Sequence, residues 1–134
     1  MAVIERNKYG AIAVNKGVID KMIIEDLNEM SGRFVLCNKK GKIIKDNPTP
    51  WLDPDQYDAI DVSDKRGETK INIYLISKFG VSISKLADEI FTSVEEVFEV
   101  LRLPKPAIIK INVKGIMFGH NVGKRNIEVV RKNV

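Results

Sequence analysis

The chain has one histidine, His120, and one cysteine, Cys37, so any catalytic device built on either would rest on a single side chain. His120 lies in a glycine-flanked stretch, GHNVG. A serine or cysteine triad, a histidine metal cluster and an imidazole proton shuttle would all depend on it, and it reads instead as a solvated residue. Cys37 closes the apolar run RFVLC. A small buried thiol is the ordinary reading, with a reactive nucleophile as the alternative, and no disulfide can form within the chain. The acidic series Asp53, Asp55, Asp58, Asp61 and Asp64 invites a calcium loop. Starting at Asp53, such a loop needs glycine at its sixth position and glutamate at its twelfth, where the chain has Asp58 and Asp64, and Pro54 stiffens the second. These carboxylates read as loop and capping groups. No GxGxxG follows a strand, and no Walker lysine follows a glycine loop. The expectation is therefore no catalytic residue, no metal and no cofactor: a protein that is not an enzyme.

Binding is the remaining kind of chemistry. The formal charge is +4, of which residues 118–134 hold +3 through Lys124, Arg125, Arg131 and Lys132 against Glu128. The body is almost balanced, so these four cations are the candidate contacts to an anion or partner. Trp51, the single tryptophan, joins them: its indole either pins a loop to the core or anchors a partner. A KH reading lacks its GxxG loop and an RRM reading has Tyr74 alone on the central strands. A nucleic-acid-binding module would thus depend on the basic C-terminal tail.

The elements that must position these groups centre on Lys70 to Lys114. In KINIYLISKF, Ile71, Ile73 and Leu75 recur at period two, with Tyr74 and Ile76 partly covering the other face, which predicts a strand ending in a bend at Gly80. Then Ile83, Leu86, Ala87, Ile90, Val94, Val97, Phe98 and Leu101 fall at helical spacing opposite Asp88, Glu89, Glu95, Glu96 and Glu99. Ser82 or Ser84 caps that helix, and Pro104 and Pro106 end it. A last strand carries Ile109, Ile111 and Val113 inward.

Upstream, Tyr9–Val14 predicts a first strand. A helix follows with a stripe of Val18, Ile19, Met22, Ile23, Leu27 and Met30, stopped by Gly32. Arg33–Cys37 and Lys42–Lys45 form a hairpin about Asn38–Gly41. Pro48, Pro50 and Pro54 make residues 46–56 a surface loop, and Tyr57–Ser63 a further strand. The order β-α-β-β-β-α-β predicts an α+β fold: a two-layer sandwich, its mixed or antiparallel sheet covered on one face by two helices. Residues 1–117 form the single domain and 118–134 a basic tail, either mobile or docked on a partner. The N-terminus has no apolar signal region and no window is long and apolar enough to span a bilayer, so a cytoplasmic location is expected.

The order of three strings resembles the alkaline shock protein family of bacterial envelope stress response proteins. They are YGAIAVNKGVIDKM, similar to its opening strand and helix; Lys78-Phe79-Gly80-Val81 before Ile83, similar to its Tyr-Gly-x-x-Ile junction; and INVKGI (111–116), similar to its closing Val-x-Val-x-Gly-Val. The chain departs from the pattern at Met30–Phe34, at Leu103–Pro106, and through the inserted segment 46–56. The resemblance implies a non-enzymatic cytoplasmic protein at the inner face of the membrane, self-associating and held by a membrane-anchored protein partner. No catalytic residue is carried over from it.

Overall fold

The computed structural model describes residues 2–7, 10–30, 32–44 and 54–133. Strands β1 (Ala2–Asn7) and β2 (Gly10–Asn15) pair as a separate antiparallel hairpin. Helix α1 (Lys16–Glu29) and β3 (Phe34–Leu36) follow, then a 3₁₀ helix (Pro54–Ala59), β4 (Ile60–Lys65), β5 (Glu68–Lys78), α2 (Ile83–Val100), β6 (Ile108–Phe118) and β7 (Asn121–Lys132). The main sheet is mixed. β5 and β6 run parallel across the α2 crossover, while β3 and β4 both pair antiparallel with β5, and β7 pairs antiparallel with β6.

The expected α+β order is present, with one strand added at each end. Two local expectations shift. The strand expected from Tyr57 starts at Ile60, because the proline-led segment winds first into one 3₁₀ helix. The first strand joins β1 rather than the main sheet.

The C-terminus differs most from expectation. Residues 121–132, read from sequence as part of a basic tail, are β7, in register with β6 from Phe118↔Asn121 to Ile108↔Lys132. Ile127 and Val129 pack against the core. The guanidinium of Arg131 reaches α2, with Nη1 2.7 Å from Glu95 Oε1 and its carbon 4.9 Å from the Phe91 ring centre.

Both helices lie on one face of the sheet. Ile19, Ile23, Ile24 and Leu27 of α1, and Leu86 to Phe98 of α2, share a core with Ile71, Ile73, Leu75, Ile109, Ile111 and Val113. Val18, expected in the α1 stripe, is 44% exposed. At about 100° per residue it lies opposite Leu27, and Ile24 takes the buried position instead. Phe91, absent from the expected α2 stripe, is buried as well. The open face carries a smaller cluster of Cys37, Tyr74 and Ile76, with Val35 and Met117 packed against it.

Asp20 is buried on α1, with Oδ2 2.6 Å from Lys16 Nζ and Oδ1 without a hydrogen-bond partner among the described residues. Burial pushes its carboxyl above the ordinary value of 3.8, against the pull of Lys16 and with the help of Asp61. A raised native value means that the charged form is disfavoured by folding, so this group's contribution is best in acid and is lost as pH rises through the native value. Asp20→Asn is expected to stabilise the protein at neutral pH, where the buried carboxylate must otherwise be held charged. That gain should disappear as pH falls toward 3.8, which urea denaturation at the two pH values would check.

α2 begins at Ser82, whose hydroxyl accepts from the Lys85 amide, and ends in a paired-carbonyl stop. The Leu103 amide donates to Phe98 O (2.9 Å) and the Arg102 amide to Glu99 O (3.0 Å), with buried Leu103 beyond them. Arg102 holds the left-handed position, φ 56°, that favours glycine. Arg102→Gly should therefore raise stability by about 1 kcal/mol, read as a higher urea midpoint at unchanged slope.

Candidate functional site

The open face of the sheet holds a groove of about 530 Å³, bounded by the turn after β3, the middle of β6 and the start of β7. Its ionisable lining residues are all cations: Lys40, Lys42, Lys114, Lys124 and Arg125. Among the described residues none of them has a carboxylate partner.

Three local devices bring these residues together. The Asn38 side-chain oxygen accepts from the amides of Lys40 (2.9 Å) and Lys42 (3.0 Å), fixing the turn that carries both lysines. A bulge in β6 supplies Lys114: Leu75 pairs with Val113 and Ile76 with Gly115, so Lys114 is the extra residue between them. Its ammonium lies 5.9 Å from the centre of the Tyr74 ring, beside the turn at Gly41. The bulge also shifts the β6–β7 register and brings β7 close to Gly115. A Cβ at Gly115 would lie 2.8 Å from Val122 Cγ1 and 3.0 Å from Gly123 O, so only glycine fits without displacing β7. β7 then contributes Lys124 and Arg125, whose Nη1 donates to Lys124 O (2.8 Å).

The sequence-predicted contacts divide accordingly. Lys124 and Arg125 line the groove, whereas Arg131 braces β7 to α2 and Lys132 is exposed at the strand's end. Trp51 lies outside the described residues. His120 is exposed in the turn between β6 and β7. Sequence reasoning missed Lys40, Lys42 and Lys114. The turn at Asn38–Gly41 was legible, but nothing local to it shows that a bulge about 70 residues away faces it.

Cys37 is fully buried beneath this face, and burial pushes its thiol up to about 11. The native protein is expected to resist thiol reagents at about pH 8 and to react stoichiometrically once unfolded in urea; rapid native labelling would show an accessible thiolate. Among the described residues, no cluster of three His, Cys, Asp or Glu side chains is placed to hold a metal ion. None of the described helices is long and apolar enough to cross a membrane.

On the other side of the molecule, the outer surface of α2 carries a shallow acidic groove lined by Asp88, Glu89, Thr92, Ser93 and Glu96. Two of its carboxylates are paired with arginines, Glu89 with Arg33 and Asp88 with Arg131 (3.7 Å). The cationic groove suits contact with an anionic group.

The family model of the alkaline shock proteins, described by a cell envelope-related function, matches residues 4–118. Searches of curated proteins and of solved structures give no match.

Proposed function

The chain belongs to the alkaline shock protein family, and from that premise we propose that it is a non-enzymatic scaffold of the envelope stress response, acting through protein association at the cytoplasmic face of the membrane. The observation that carries the reading is β7. It is a twelve-residue strand paired with β6 along one side, and among the described residues no strand pairs with the other. Such an edge offers a row of backbone donors and acceptors to a further chain, either a second copy or a membrane-anchored protein. Exposed Val122 and Val130 add apolar surface along it.

Sedimentation velocity across concentration tests this. The expected result is growth in mass with concentration, abolished in a Val122→Lys, Val130→Lys double variant that keeps native circular dichroism. A monomer at all concentrations that also captures no protein from solubilised membranes would refute it.

The second reading, nucleic-acid binding, gains from the cationic groove, but deleting residues 118–134 would remove a sheet strand together with the charge. Lys124→Gln with Arg125→Gln is the better probe. A complex with RNA or DNA that persists at physiological salt and is lost in this variant would favour the second reading over the first.

A further inference from the structure

Phe79, just after β5, and Phe118, at the end of β6, stand together at one end of the sheet. Their ring centres are 4.8 Å apart, and they are 70% and 44% exposed. Val122 and Ile43, both exposed, add apolar surface in the wall of the basic groove. Gly123 marks the junction: a Cβ there would lie 3.8 Å from the Phe118 ring and 3.4 Å from Arg125 Nη1, so the ring and the guanidinium flank one point. Large apolar side chains in water beside cations that have no carboxylate partner among the described residues have a natural complement in an oily layer beneath a layer of negative charge.

We propose that this end of the sheet docks directly on an anionic lipid surface. Phe79 and Phe118 enter the boundary between headgroups and acyl chains, while the five groove cations pair with headgroup phosphates. Long lysine and arginine stems suit this, because they lie along apolar surface and keep their charge at the polar layer. A nucleic acid fits less well. The two phenyl rings are tilted 33° against each other, and the exposed valine and isoleucine in the groove wall offer a base nothing to stack on. The inference adds a lipid contact to the protein-association reading and does not rest on it.

The test is co-sedimentation of the full chain with vesicles of phosphatidylcholine alone and with phosphatidylglycerol added. The expected result is binding to the anionic vesicles only, falling as salt rises. Lys114→Gln and Lys124→Gln should each weaken it about fivefold. Phe79→Ser, at a position too exposed to be needed for folding, should weaken it at least as much. In a Trp51→Phe background, Phe79→Trp should shift its emission to the blue on anionic vesicles and not on single-stranded RNA. The proposal is overturned if the wild-type chain fails to bind anionic vesicles, if it binds neutral ones equally, or if the emission shift comes with RNA instead. Association measured without lipid tests the preceding reading separately.

Discussion

A chain ending at residue 118 should lose on the order of 4 kcal/mol of stability, or fail to fold, since marginal domains have only about 5–15 kcal/mol in hand. The cut removes β7 and leaves the β6 edge bare along Ile109, Ile111 and Val113, whose partners are Arg131, Val129 and Ile127. Loss of the packing of Ile127 and Val129 costs roughly 1 kcal/mol or more apiece. The Arg131 brace to Glu95 and over Phe91 adds about 1 kcal/mol, a modest figure because the arginine is 31% exposed. The remainder comes from β6 backbone groups left without strand partners. Urea unfolding followed by circular dichroism provides the measurement. A mobile tail would leave the midpoint where it is in the full chain; β7 as an integral strand moves it far down.

Phe98→Ala is expected to cost about 3–5 kcal/mol, the largest effect of any single substitution considered. Phe98 is fully buried on α2. It also sits where the helix stops, its carbonyl accepting from Leu103, so the ring and buried Leu103 close the end of the core together. Truncating the ring opens a cavity that neighbouring strands, held in register, can fill only in part. Phe98→Leu should recover more than half the loss, because it restores most of the volume. Equal losses in the two variants would mean that the ring's shape, rather than buried volume, sets the energetics.

How far the sequence discloses this molecule depends on how many side chains of an element face the core. α2 was legible because a full stripe from Leu86 to Phe98 is buried against one face, and its capping serine and following prolines mark both ends. β5 was legible because it is a central strand with apolar residues on both faces. β7 was not. Only Ile127 and Val129 face the core, Arg131 occupies the next position in their alternation, and the charged residues between them suit an edge strand as well as they suit a tail. Its signal was the alternation Ile127, Val129, Arg131, which becomes meaningful only when Glu95 and Phe91 are known to lie opposite.

The groove was half legible for a related reason. Lys124 and Arg125 stood out through the local excess of charge near the C-terminus. Lys114 lies in a strand of ordinary alternation, and its aim depends on a one-residue bulge and on Gly115, whose missing side chain lets β7 approach. Family likeness marked the string containing that glycine; the close contact with Val122 and Gly123 gives its physical reason.

Photocrosslinking in intact cells distinguishes association with protein chains at the membrane from the alternatives. A photoreactive residue would be placed at Val130 on the open edge of β7, with Glu25 on the exposed side of α1 as the control. Covalent adducts are expected from Val130, to a second copy or to another protein, recovered in the membrane fraction and absent from Glu25. Adducts to nucleic acid, or equal adduct yields from the two positions, would contradict such association.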